Sequence, residues 1–259
     1  MGELRVGRAL REGWDAFRRA PVPFVAFSLL VALLQLPINV LQDSVTVARS
    51  QGAAPSSLLV SLLLSLLATV VNLWGIAGLV RGSWIALEGG RPRLATFLHW
   101  DGAALWRLLL ATLLLALLLA LLLLPLGPVL QPIATALEES ATSGLPATLP
   151  VTPLGALALA AGVGIGLYLA VNQSFLGQIA LLEGPGPWRT LLRGRAVVDP
   201  QWLQVLLLHL LQALLILIGV LACLVGVFVA LAVVTCMSTA AWRQLAGTAD
   251  PRGFARVPG

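Results

Sequence analysis

Residues 202–241 run for forty positions without a single Asp, Glu, Lys or Arg. As one helix this stretch would be ~60 Å long at ~1.5 Å per residue. That is about twice the ~30 Å hydrocarbon thickness of a bilayer, so the stretch must reverse. Between Gly219 and Gly226 two glycines and small residues let it turn, and this predicts spans over residues 202–219 and 226–241. Four further apolar runs, at 21–41, 57–80, 103–124 and 154–182, each meet the roughly 20-residue requirement for a crossing. Hydrophobic residues make up 59% of the chain and charged residues 10%, against about 45–50% and about 25% in soluble domains. The expected fold is all-α: a polytopic membrane domain of six spans over residues 1–247, with 248–259 as a flexible cytoplasmic tail. The first run follows Arg18 and Arg19 as a signal peptide would, but no small-residue cleavage site follows it. It reads as a retained span.

Charge fixes the expected orientation. Every basic residue is Arg. Fifteen of the sixteen lie in segments that six spans place on one side: Arg5, Arg8, Arg11, Arg18 and Arg19; Arg81, Arg91, Arg93 and Arg107; Arg189, Arg193 and Arg195; Arg243, Arg252 and Arg256. Only Arg49 falls on the other side, with Asp43, Glu138 and Glu139. Arginine in short flanking segments stays cytoplasmic, so both termini are expected in the cytoplasm of a cell-membrane protein. The net charge of +5 then serves anionic headgroups on that leaflet. Nucleic acid is excluded as a partner, since there is no soluble domain to bind it. Membrane lipids are the expected partners, together with a membrane-protein partner or a second copy. Cys223 and Cys236, ~20 Å apart if on one helix, read as apolar thiols and not as a disulfide.

Three spans end alike: Ile85-Ala86-Leu87-Glu88-Gly89-Gly90-Arg91-Pro92, Ile179-Ala180-Leu181-Leu182-Glu183-Gly184-Pro185-Gly186-Pro187 and, more loosely, Arg243-Gln244-Leu245-Ala246-Gly247 running to Pro251. Glycine followed by proline stops a helix sharply. Each odd span is preceded by a short segment bearing Arg and aromatic residues, at 10–19, 94–100 and 188–197. Such segments suit interfacial helices. The expected unit is interfacial helix, span, outer turn, span, repeated three times. In the first segment Leu10, Trp14 and Phe17 recur on one helical face. Trp14, Phe17, Arg18 and Arg19 are therefore the expected interfacial anchor, and Pro21 and Pro23 should break the helix before span one.

The segment Gly13-Trp14-Asp15-Ala16-Phe17-Arg18-Arg19, the tail Ser238-Thr239-Ala240-Ala241-Trp242-Arg243-Gln244-Leu245-Ala246-Gly247 and the amphipathic stretch over 183–202 together resemble bacterial six-span proteins related to the membrane domain of glycerophosphoryl diester phosphodiesterases. Relatives often carry Tyr-Arg-Gln-Leu where this tail has Trp242-Arg243-Gln244-Leu245. The resemblance implies a six-span fold in a family mostly of unknown function. The phosphodiesterase activity of fused members belongs to a separate soluble domain, and it is not carried over.

Chemistry-bearing residues are sparse in the spans. No Asp, Glu or Arg sits mid-span. His209 with Gln204 and Gln212 in span five, Asn172, Gln173 and Gln178 in span four and Asn72 in span two form a candidate polar cavity, or else glue helices together. Pro37 and Gly219 are candidate helix breaks. Small residues at four-residue spacing, Ala158, Gly162, Gly166 and Ala170 in span four and Ala222, Gly226 and Ala230 in span six, are expected to bring central helices close. With no metal-ligand spacing, no phosphate-cradling glycine loop and no paired carboxylates, no cofactor is expected. The reading is a non-enzymatic scaffold or accessory component of the bacterial cytoplasmic membrane. The alternative is a small transporter or channel for a weakly polar or lipid-like solute. Reporter fusions after Ser143 and after Gly259 should report opposite sides of the membrane; the same side for both sinks the six-span orientation.

Overall fold

The computed structural model describes residues 2–50, 56–128, 131–132, 135–136, 140, 152–247 and 250–255. Among the described residues it is all-helical, and six helices are long and apolar enough to cross a membrane: a polytopic membrane protein. Helix α1 covers Val6–Arg19, α2 Pro21–Ser50, α3 Ser56–Leu87, α4 Leu94–Leu98 and α5 Gly102–Leu123. After them come α6 at Pro153–Asn172, α7 at Pro187–Val198, α8 at Trp202–Leu221 and α9 at Cys223–Ala246. The helices of the first span pair outrun the apolar runs that define them. Pro37 lies inside α2 and Gly219 inside α8, so neither is a break. Glu138, Glu139 and Arg256 lie outside the described residues.

The expected span over 154–182 is divided. α6 stops at Asn172, the chain turns through Gln173, Ser174 and Phe175, and a helical turn at Leu176–Gln178 passes into a π-helical turn at Ile179–Glu183. The cause is local. Ser174 Oγ donates back to the Val171 carbonyl at 2.6 Å, and Gln173 Nε2 donates to the Leu191 carbonyl of α7 at 3.3 Å. Side chains that hydrogen-bond nearby backbone compete with the helical ladder. The three predicted stops are stops: Gly89, Gly184 and Gly247 all take positive φ, at 96°, 61° and 91°, which costs glycine least.

The core lies at the Arg-rich end of the bundle. α3 buries side chains from Leu73 onward, and α5 buries Ala104, Leu105, Leu108, Leu109 and Ala111. Toward the far end, Leu59, Leu62, Leu63, Leu117 and Leu121 are largely exposed, as lipid-facing leucines would be. The segments ahead of the odd spans are helices α1, α4 and α7, but they are packed into this core. α1 runs antiparallel beside α9, with Ala9, Gly13, Ala16 and Ala20 all buried. A Cβ on Gly13 would sit 2.7 Å from the Met237 backbone. The contacting stripe is thus one position round from the predicted Leu10, Trp14 and Phe17 face, because small residues let two backbones approach. Ala20, with φ −151° and ψ 60°, ends α1, and the chain turns there into α2 as predicted.

α9 meets α3 through the Ser83 and Thr239 hydroxyls, 2.9 Å apart, and through Arg243 stacked over Trp84. Both contacts lie in the last two turns of α3. Val229, ~21 Å along α9 from Arg243, shares an apolar groove with Pro21, Val22 and Val25 in the first two turns of α2. α9 therefore lies steeply across the feet of the α2–α3 pair.

The small-residue stripes divide. Across the α8–α9 turn, a Cβ on Gly219 would sit 2.7 Å from Ala230 Cβ, and one on Gly226 would sit 2.9 Å from Ala222 Cβ. This pair is a close crossing. The stripe on α6 is not. Gly162 meets only a Leu126 methyl, at 3.5 Å, Gly166 has nothing within 4 Å, and Ala170 is exposed; Ala158 alone is buried. With α6 cut at Asn172, its outer length stands off from its neighbours and is not a central helix. A second correction concerns the tail: residues 250–255 pack onto the core, with Phe254 and Ala255 buried. Gly13→Leu should lower stability in a detergent melt by roughly 1–3 kcal/mol through overpacking. Gly166→Leu should stay within about 0.5 kcal/mol of wild type.

Candidate functional site

The polar residues singled out from the sequence do not converge. Asn72 is exposed on α3. Asn172, Gln173 and Gln178 are buried around the α6 break. There Gly194 of α7 presses on the turn: a Cβ at that position would sit 2.9 Å from the Asn172 carbonyl and 3.0 Å from Gln173 Oε1. Both amide atoms of Asn172 and the Oε1 of Gln173 are buried without a hydrogen-bond partner. On α8, His209 faces Gln212 on its own helix and the Ala170 backbone of α6, and its Nδ1 is unpartnered. Gln212 Nε2 donates to Ser238 Oγ of α9 at 2.8 Å. Gln204 lines a shallow apolar groove with leucines of α8. The expected cavity thus resolves into a buried helix break, an α6–α8–α9 contact and two outlying side chains. Among the described residues, no three His, Cys, Asp or Glu side chains gather as metal ligands would.

The interfacial anchor is also redistributed. Trp14 is 44% exposed and Arg18 is exposed, as an anchor requires. Phe17 is buried, its ring 6.1 Å from Phe24, which meets Phe97 edge-on at 4.9 Å. Arg19 donates to the Ala86 carbonyl, so it caps the end of α3, where carbonyls lack helical partners.

Sequence reading missed Arg81. It sits in the last turns of α3 and is 1% exposed. Its Nε donates to the Phe254 carbonyl at 3.0 Å and its Nη1 to the His99 carbonyl at 2.8 Å. The Phe254 ring lies 4.2 Å from the guanidinium, a cation–π contact strengthened by burial. Asp250 accepts from the backbone N–H groups of Phe254 and Ala255 at 3.0 and 2.9 Å and so shapes the tail. Arg252 reaches back to the Gly184 carbonyl at 3.3 Å. The N-terminus joins the same assembly: Leu4 N donates to Gln201 Oε1 at 2.6 Å and Arg5 N to Gln244 Oε1 at 2.9 Å. The one available signal was Asp250 and Phe254 in a tail otherwise read as solvated.

Arg193 pairs with Glu183 at 3.1 Å and Arg195 with Asp199 at 3.8 Å. Arg5, Arg8, Arg11 and Arg18 are exposed and make no ion pair among the described residues. The Arg-rich end therefore has two parts: a clamp of buried or capping arginines, and a displayed basic surface that α1 shares with the exposed Arg91, Arg93 and Arg189. The first does structural work; the second is available to anions.

Arg81→Met leaves two carbonyls without their charged donor, an interaction of about 1.5–3 kcal/mol per hydrogen bond. It should release the tail to limited proteolysis. Phe254→Ala should do the same, and the double variant should lose less stability than the two single losses added, since both act on one contact. Additive losses would mean that the clamp is not a unit.

No family model, no curated protein and no solved structure matches this chain. Its functional reading rests on its own residues.

Proposed function

We propose that the chain is a non-enzymatic scaffold or accessory component of the bacterial cytoplasmic membrane, with both termini in the cytoplasm. The observation that carries this reading is how the polar side chains of the spans are used. Gln35 Nε2 donates to the Ala68 carbonyl at 2.9 Å and Gln42 Nε2 to Ser65 Oγ at 3.1 Å, tying α2 to α3. Gln173 ties the α6 break to α7, and Gln212 ties α8 to α9. These are interhelical bonds of the kind that hold membrane bundles together. The buried Arg81 and the capping Arg19 and Arg252 likewise satisfy backbone carbonyls. What remains free is a basic surface on α1 and at Arg91, Arg93 and Arg189, with long leucine-covered surfaces, which suit headgroups, lipid tails and a membrane-protein partner or second copy.

One observation favours transport of a small solute instead. α6 is broken at a buried amide whose two polar atoms lack partners, and broken helices with free polar groups form substrate sites in transporters. Labelling separates the readings. In a background with Cys223→Ser and Cys236→Ala, single cysteines at Asn172 and His209 are exposed to a membrane-impermeant maleimide from each side. The scaffold reading expects no labelling of the folded protein at either position. Labelling at Asn172→Cys and His209→Cys from either face would mean a water-filled path and replace it.

A further inference from the structure

A cavity of about 650 Å³ opens between α1 and the turn that joins α8 to α9, and its lining includes Arg11, Trp14, Ile218, Ala222, Gly226 and Val229. Its origin is in the sequence. Gly219 and Gly226 bring α8 and α9 together so closely that neither position has room for a side chain. The small residues that permit this leave a hollow facing α1. The volume falls within the ~300–1,000 Å³ typical of small-molecule sites. The walls are apolar apart from Arg11.

Arg11 is exposed and has no ion pair among the described residues. Of its acidic neighbours, Glu12 accepts from Gln244 Nε2 at 3.4 Å, and Asp15, one turn on, is not within ion-pairing distance. Trp14 stands half-exposed beside it, the position an indole takes at headgroup level. The cation and the hollow select the occupant together. A soluble anion gains nothing from the apolar walls, a neutral lipid gains nothing from the guanidinium, and a partner helix would need a longer groove with several anchoring pockets. We infer that this groove is a binding site for an anionic phospholipid of the leaflet that α1 faces, with one acyl chain between α1 and the α8–α9 turn and the phosphate on Arg11. This goes beyond the scaffold reading and does not depend on it.

Native mass spectrometry of the full chain in mild detergent, with equal phosphatidylglycerol and phosphatidylcholine of matched chains, tests the site. Wild type should retain phosphatidylglycerol preferentially. Arg11→Gln should reduce that preference roughly fivefold, the value of one surface arginine. Arg8→Gln, on the same helix but outside the groove, should leave it intact. Ile218→Trp changes an exposed groove residue and should lower retention of both lipids by filling the trench. Equal losses in Arg8→Gln and Arg11→Gln would mean diffuse charge attraction and overturn the site. So would unchanged retention in Arg11→Gln and Ile218→Trp.

Discussion

The fold depends on close backbone contact between a charged helix and an apolar one. α1 carries arginine and acidic residues on its open face, yet Gly13 presses onto the backbone at Met237. In a bilayer no hydrophobic gain drives one helix against another, so close packing and hydrogen bonds must do it. Gly13 meets Met237 on α9, Ala9 shares a buried cluster with Met237 and Ala241, and Ala16 and Ala20 share one with Ala232, Val233 and Cys236. That contact holds α9 across the feet of α2 and α3. From there the Ser83–Thr239 hydroxyl pair and the Arg243–Trp84 stack reach α3. The aromatic group of Phe17, Phe24, Phe27 and Phe97 joins α1, α2 and α4. The N-terminal strap and the tail close over the same end.

This arrangement gives arginine two distinct uses. An exposed arginine near an anionic leaflet gains about 1 kcal/mol and mainly orients the chain. A buried one must have its donors satisfied or it destabilises the fold. Arg81 meets that demand with two carbonyls and an aromatic ring, while Arg19, itself exposed, caps the end of α3. Counting arginines along the sequence treats these as equal votes for one side of the membrane. In the folded chain they divide into fasteners and a displayed surface, and only the displayed arginines can act on lipid.

Much of the fold was legible because lipid imposes length and termination rules that a sequence must obey. The forty-residue uncharged run had to turn, and it turns at Ala222, between the two glycines that mark the place. The three Ile-Ala-Leu or Arg-Gln-Leu endings had to stop, and each stops on a glycine with positive φ. The illegible parts were decided by partners distant in sequence. Nothing local to Gly13 says that Met237 will lie against it, and nothing local to Phe254 says that Arg81 waits for it. The stripe on α6 matched the rule for close packing as well as the one on α1 did. It goes unused because Asn172, Gln173 and Ser174 break the helix beneath it.

That break also explains why the candidate polar site was only half readable. Sequence placed Asn172, Gln173 and Gln178 on one continuous helix with Ala158 and Gly162, where they would repeat on its faces. A turn at Gln173 resets the rotation between the two halves, so side chains beyond it point elsewhere. The turn is tolerated at this depth because α7 covers it: non-helical backbone in a membrane protein must be shielded by protein or line water. Gly194 supplies the cover by coming close enough to touch the Asn172 carbonyl, and Leu191 accepts from Gln173. A side chain at Gly194 would push α7 away and expose the unpaired amide of Asn172. The amphipathic α7 is therefore a lid over broken backbone as much as a helix at the membrane surface.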